Sequence, residues 1–415
     1  MGVPHWCDPR DGESGLDPMD VQKVVAIAAS SRGGSSYLHA VLAASRTALS
    51  IGGEHTALYR LNGITRGADG SDRIAVETLA EKRIAGVVRD LLELVRIGEA
   101  NIPEAPESYA ELVGRRLALQ WPLENWTTEA VHGAVDRVYR DGCSEASDIA
   151  LFRQVLTHLA RDFPAVAPVY YDGMAELPVG PEPVGPPSEH IIEEPPFVVP
   201  ARRRRPSRAE LREGVLVLKA SVDAYRLPLL RRMFPHAEIS VLHLTRNPAA
   251  SINGLYDGWL DRGFYSYRVA TGERLQIAGY SERADFATQW WNFDLPPTWR
   301  ETLTSPLAEV CAHQWAGAHS HILNSIDSVA DRKMTVRLED LLSPGASHES
   351  WPRVFAFAGL VAPDVSSTPV VMATSTPNPG RWRRRAKILT DALETPLVHD
   401  VQRDLGYGRC DETWT

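Results

Sequence analysis

Residues 24 to 36 constrain this chain more than any other stretch. Val24–Ala29 is six apolar residues in a row, the pattern of a strand buried on both faces of a parallel sheet. A buried helix segment has the same local pattern, so the continuation decides. Ser30-Ser31-Arg32-Gly33-Gly34-Ser35-Ser36 is turn chemistry, and Tyr37 to Ala44 then reads as a helix. The order is strand, glycine-rich loop, helix, which commits this part of the fold to an α/β layer arrangement.

The same alternation returns later. Val215–Leu218, Ile239–Leu244 and Met334–Arg337 are short strand-like runs, each followed by helix-like sequence. Strands separated by helices need crossovers, so the expected fold is α/β with a central parallel β-sheet flanked by helices, and ligands are expected beyond the carboxyl ends of the strands. Between the two blocks, residues 65–163 carry apolar sets at helical spacing, Ile84, Val87, Val88, Leu91, Leu92 and Val95, then Tyr109, Leu112, Val113 and Leu117. These predict an inserted helical region, read as a lid over an acceptor pocket. Eleven of the thirty prolines then fall between Pro164 and Pro206, which predicts an extended connection along the surface. The Arg202-Arg203-Arg204-Arg205 run at its end could be an anion-binding patch and reads better as a solvated linker charge run. The division expected is therefore a tail at 1–20, a core made of 21–64 with 207–415, the insertion at 65–163 and the proline-rich connection at 164–206.

Composition narrows the function classes. With 44% hydrophobic residues among 415 the bulk of the chain must fold, and a net charge of −9 gives no global field for a polyanion, so anion recognition has to be local. The four cysteines, at 7, 143, 311 and 410, form no CxxC pair and indicate neither a disulfide framework nor a zinc site. The first twenty residues lack a basic start and an apolar stretch, and no apolar run reaches the ~20 residues of a bilayer span. A soluble, cytoplasmic protein without nucleic-acid or membrane partners is expected.

A loop between a buried strand and a helix N-terminus points backbone N–H groups at one spot, where the helix dipole adds positive potential. Gly33 and Gly34 let backbone approach an oxyanion, Ser35 and Ser36 add hydroxyl donors, and Arg32 adds a charged fork. The loop lacks the GK[ST] pair of a Walker A motif, and the 239–244 strand ends in Thr245-Arg246 instead of a magnesium-holding aspartate, so NTP hydrolysis is not expected. Arg246 suggests a second anionic group held by direct pairing.

As a set, these segments resemble the sulfotransferases that use 3′-phosphoadenosine 5′-phosphosulfate (PAPS), whose sulfotransferase fold is P-loop NTPase-like. The 5′-phosphosulfate loop, [KR]-S-G-[ST]-[ST], is matched by Arg32-Gly33-Gly34-Ser35-Ser36, with glycine in the usual serine place. A Gly-Glu follows as Gly53-Glu54-His55, a Lys-Ser segment as Lys219-Ala220-Ser221, and the 3′-phosphate strand end R-[DN]-P as Arg246-Asn247-Pro248. Leu338-Glu339-Asp340-Leu341 stands for Y-E-D-L without its tyrosine, and Gly380-Arg381-Trp382-Arg383 for G-x-W-[KR]. The family's 3′-phosphate serine position is Gly254 here, with Ser251 one helical turn earlier as the substitute. The likeness spans roughly 21–60 and 214–390.

The resemblance implies sulfuryl transfer from PAPS to a hydroxyl of a small-molecule acceptor such as a bacterial natural product, leaving adenosine 3′,5′-bisphosphate, with no metal required. Arg32, Gly33, Gly34, Ser35 and Ser36 would hold the 5′ end. Arg246, Ser251, Arg381, Trp382 and Arg383 would hold the 3′ end. Lys219 would touch the bridging oxygen or the acceptor side, and Glu54 or His55 would take the acceptor proton, a choice that only geometry can make. Aromatic residues between 256 and 315, Trp290, Trp291, Phe264 and Phe293 among them, either fill a core or line the acceptor pocket. A non-catalytic nucleotide-binding module and a P-loop phosphotransferase are the competing readings, and a homodimer is compatible with all three.

Overall fold

The computed structural model describes residues 16–98, 105–142, 146–174, 184–188, 190–261, 264–270, 272–343, 345, 347–363 and 380–408. Cys7, Cys143 and Cys410 lie outside them, as does most of the expected tail and the Pro377-Asn378-Pro379 turn.

Strand β1 is Lys23–Ala28, followed by helix α1, Ser35–Ala43, the short β2, Ala48–Leu49, and α2, Thr56–Leu61. Helices α3, Glu81–Leu94, α4, Pro106–Gln120, α5, Thr128–Arg140, and α6, Asp148–Leu159, make up the insertion. After α7, Arg208–Glu213, come β3, Val215–Lys219, α8, Leu227–Met233, β4, Glu238–Thr245, and α9, Pro248–Leu260. A small antiparallel pair, β5, Tyr265–Arg268, and β6, Trp290–Asn292, precedes α10, Leu307–Val329, and β7, Arg332–Arg337.

Five strands pair in the order β2-β3-β1-β4-β7, every ladder parallel. The α/β expectation is met, and the reason lies in the strand text. Val24, Ala26, Leu216, Leu218, Ile239 and Val241 enter one core with Leu91, Leu230 and Ile322, while Val25, Ile27, Val217, Leu242 and Leu244 enter another with Leu38, Leu42 and Phe355. Helices cover both sides, so both residue parities are apolar. In-register parallel pairing also sets all five carboxyl ends on one edge, where the loops after β1, β2, β3, β4 and β7 meet.

Packing divides the inserted region differently from the expected single block. The apolar face of α3 belongs to the sheet's own core through Ile84, Val87, Val88, Leu91 and Leu92. Helices α4 to α6 instead close around a separate core of Tyr109, Val113, Leu117, Trp121, Trp126, Phe152 and Leu156. The proline-rich connection adds Tyr171 and Phe197 to that second core, so its described part is extended but packed inward. Its arginines are correspondingly anchored. Arg202 is buried against Asp148 at 2.7 Å, Arg203 donates to the Ala43 carbonyl, Arg204 pairs with Glu210 and Arg205 with Glu93. The solvated-run reading holds for Arg204, whose pair with Glu210 is exposed, and fails for Arg202 and Arg203, which the insertion and core hold against a carboxylate and a carbonyl. No helix among the described residues is long and apolar enough to cross a membrane.

Candidate functional site

A cavity of about 1480 Å³ opens over the carboxyl edge of the sheet. Its wall holds Arg32, Gly34, Ser35 and Ser36 from the loop after β1, Glu54 from the loop after β2, Lys219 and Ser221 from the end of β3, Arg246 from the end of β4, and Arg381.

The loop's shape explains its glycines. Gly34 has φ +94°, and a Cβ there would stand 2.6 Å from Leu338 Cδ2. Gly33 donates its N–H to the Ser30 carbonyl, and a Cβ on it would come within 2.9 Å of that same oxygen. The glycine at 33 therefore answers a steric demand of this loop. Gly34 opens α1, whose first N–H groups have no earlier helical carbonyl to bond.

At one end of the cavity three guanidinium groups crowd together. Burial pulls Arg32 down to about 10, and the charges of Arg246 and Arg381 pull the same way. Burial also lowers Arg246, with Glu339 opposing and Arg381 adding to the effect. Asp257 and Asp261 offset part of this for Arg32, and Asp257 pairs with Arg381, so the wall here is basic with acidic support behind it. Arg246 further donates to the Arg32 carbonyl at 3.3 Å. The Arg-Asn-Pro run works as a helix start: Asn247 accepts from Ala250 N at 2.7 Å as the N-cap, Pro248 is the first helical residue, and Glu339 accepts from Asn247 N at 2.8 Å. Arg381 and Arg385 both reach Asp257 on α9, so this aspartate ties the C-terminal arginine run to the site.

At the other end a hydrogen-bonded chain runs through the strand ends. Lys219 Nζ donates to Ser36 Oγ at 3.0 Å and pairs with Glu54, whose second oxygen accepts from Ser221 N at 3.1 Å and Ser221 Oγ at 3.2 Å. Burial works against the Glu54 charge, but Lys219 and Ser221 outweigh it and hold the carboxyl below its ordinary value. Glu54 is thus ionised at neutral pH. A second carboxylate, Glu194, also lines the cavity, paired with Arg60 and accepting from Ser266 Oγ at 2.9 Å. Burial pushes it up to about 6 against the pull of Arg60, with the Glu54 charge adding to the rise.

Some expected residues lie elsewhere. His55 is fully buried, its Nε2 2.9 Å from Asp223 and 3.0 Å from the Tyr59 hydroxyl, and it takes no part in the cavity wall. Between the two candidate bases, only Glu54 faces the cavity. Ser251 is fully buried with its hydroxyl unpartnered and is not part of the wall, whereas Gly254, one turn further along α9, lines it. A Cβ at 254 would stand 3.8 Å from Arg246 Nη1. Trp382 packs into the core beside Leu389, and the exposed Arg383 stacks over its ring at 5.7 Å, so of that segment Arg381 alone reaches the wall. Of the aromatic concentration, Trp259, Trp291, Trp299 and Trp315 fill a core, and Phe264 and Phe293 reach the cavity.

The insertion does border the site, through Leu94, Leu112, Arg116 and Ile149. Sequence reasoning did not single out Glu194 and weighed Arg203 only within its run, as linker charge; both are in the wall. For Arg203 the signal was the arginine run itself, while Glu194 carried none. Among the described residues no group of three or more His, Cys, Asp or Glu side chains could hold a metal ion.

Two solved structures are similar to this chain. The sulfotransferase domain from the curacin biosynthetic pathway is 10% identical, with 93% of this chain and 98% of that one covered and a TM-score of 0.35. The sulfotransferase domain of the Synechococcus PCC 7002 olefin synthase is 12% identical, with 95% and 99% covered and a TM-score of 0.35. No family model matches the chain. No curated protein matches it either.

Proposed function

We propose that this chain is a sulfotransferase that moves the sulfuryl group of PAPS to a hydroxyl of a small-molecule acceptor, releasing adenosine 3′,5′-bisphosphate. The observation that carries the reading is one cavity wall shared by a glycine-built anion loop, three crowded arginines and a Glu54–Lys219–Ser36 chain. The crowded guanidinium groups suit one anionic group of a ligand, and the glycine-built loop with Ser36 and Lys219 suits a second.

The residues then divide the chemistry. Loop amides with Ser35, Ser36 and Arg32 grip the 5′-phosphosulfate, and Arg246 with Arg381 grips the 3′-phosphate. As the acceptor oxygen bonds to sulfur, the sulfur to bridging-oxygen bond breaks and negative charge gathers on the departing phosphate. Lys219 and Arg32 stabilise that charge, which is where preorganised donors count most. Glu54, ionised and facing the cavity, accepts the acceptor's proton. Its ion pair with Lys219 has to loosen for this, and Lys219 turning toward the bridging oxygen frees the carboxylate. The space bordered by Leu94, Leu112 and Ile149 receives the acceptor body.

The test has two stages. Adenosine 3′,5′-bisphosphate should raise the melting temperature while ATP with magnesium does not, by ligand linkage. Incubation with PAPS and a panel of alcohols should then add about 80 mass units, one SO₃, to an acceptor. No thermal response to the bisphosphate would overturn the proposal.

A further inference from the structure

Two residues other than glycine adopt positive φ among the described residues, Arg32 at 61° and Phe293 at 63°. Such backbone is uncommon for side-chain-bearing residues and persists only where neighbours over-determine it. The two are 261 positions apart, yet each is the neighbour of one partner in a single buried hydrogen bond. Ser31 Oγ, next to Arg32, donates to Asp294 Oδ1, next to Phe293, at 2.5 Å. The other carboxylate oxygen accepts from the Tyr225 hydroxyl at 2.7 Å.

Asp294 is itself held rigidly. Its carbonyl accepts from Gln314 Nε2 at 2.8 Å and from Trp291 Nε1 at 3.0 Å. Phe293 stacks on Phe264 with ring centres 4.5 Å apart, and the Arg32 guanidinium lies 5.3 Å over the Phe264 ring. The 293–294 segment therefore meets the anion loop directly through the carboxylate at Ser31, and indirectly through Phe264, which lies between Phe293 and Arg32. Phe264, Phe293 and Ser31 all line the cavity.

We infer that Asp294 is a positioning residue of the anion site: its carboxylate locks Ser31 and so holds the strained Arg32 backbone and the loop amides in ligand-gripping geometry. The inference rests on the reading of this loop as an anion cradle. The cavity wall does not expose Asp294 to ligand, so it acts through Ser31 alone.

The experiment measures affinity by calorimetry for adenosine 3′,5′-bisphosphate and for inorganic pyrophosphate, with ligand-free melting temperature beside it. Ser31→Ala should weaken bisphosphate binding by about tenfold, the scale of one lost hydrogen bond to a charged group, and Asp294→Asn, which leaves the same hydroxyl only a neutral, weaker acceptor, by less. The double variant should bind no worse than Ser31→Ala alone, because the bond that Asp294→Asn weakens is then already gone. Val310→Ala, a cavity in the neighbouring core, should lower the melting temperature while affinity stays within about twofold, separating loss of stability from loss of positioning. Should Asp294→Asn fail to fold, Ser31→Ala still decides the matter. Unchanged affinity in Ser31→Ala, or additive losses in the double variant, overturns the inference while the proposed function stands. Wild-type protein that binds pyrophosphate but not the bisphosphate ends the proposed donor, and the variants are then judged on pyrophosphate. Binding of neither ligand overturns both.

Discussion

Replacing Lys219 by Met tests the electrostatic centre of the site. The ammonium is almost wholly buried at 7% exposure, and its partner Glu54 is 30% exposed. Breaking a buried ion pair from one side costs about 3–5 kcal/mol, because the remaining charge is left unpaired. Partial exposure of Glu54 screens some of this, leaving about 2–3 kcal/mol near neutral pH. The pH dependence gives the sharper check. In the native protein the Glu54 carboxyl sits below its ordinary value, so its contribution is complete above the unfolded value near 4.5 and fades as pH falls through the folded one. Without Lys219 the largest remaining influence is burial, which raises the carboxyl and turns its charge into a cost at neutral pH. The stability gap between native protein and Lys219→Met should therefore be widest near neutrality and narrow as Glu54 protonates in both. Urea unfolding at a series of pH values measures it, and Lys219→Met with Glu54→Gln should recover most of the loss. A gap that stays constant with pH, or two losses that simply add, would refute the assignment of this pair as the site's charged hinge.

Other changes separate roles that the sequence left together. Glu54→Gln should cut sulfuryl transfer by about 10²–10⁴-fold, the usual worth of a positioned base, with bisphosphate affinity retained in calorimetry. His55→Asn should instead lower unfolding stability by about 1–3 kcal/mol, since buried Asp223 and Tyr59 lose their partner, with turnover per folded molecule kept. Arg381→Ala should weaken bisphosphate binding by at least about tenfold and flatten its salt dependence, whereas Arg383→Ala, away from the cavity, should do neither. Gly33→Ser should cost about 1–3 kcal/mol and weaken binding, because the new Cβ meets the Ser30 carbonyl; tighter binding in that variant would contradict the loop geometry.

The strand-loop-helix order at 24–44 was legible because every signal for it is local. An apolar run, a glycine pair and a helical period follow one another directly along a single short stretch of chain, and parallel pairing follows from the helices between strands. The same locality made Arg246-Asn247-Pro248 readable as a strand end running into a helix. Locality also explains the misplacements. Gly254 and Ser251 share a helix, but which of them faces the cavity depends on how α9 rotates against its neighbours. Arg202 to Arg205 look alike in sequence, and Asp148, Ala43, Glu210 and Glu93, brought from other elements, give each a different fate.

What the amino-acid order determined alone was backbone: a parallel α/β sheet, a glycine-built loop after its first strand, and arginines at defined strand ends. What only the folded molecule decided was side-chain direction. Glu54 turns to the cavity and His55 into the core because Lys219 and Ser221 wait on one side and Asp223 on the other, all more than 160 residues away along the chain, with Tyr59 one helical turn on beside Asp223. Dihedral preferences act between near neighbours, so a sequence displays them; desolvation and charge pairing depend on whichever distant groups the packing delivers, and those become visible only once the sheet has brought its strand ends together.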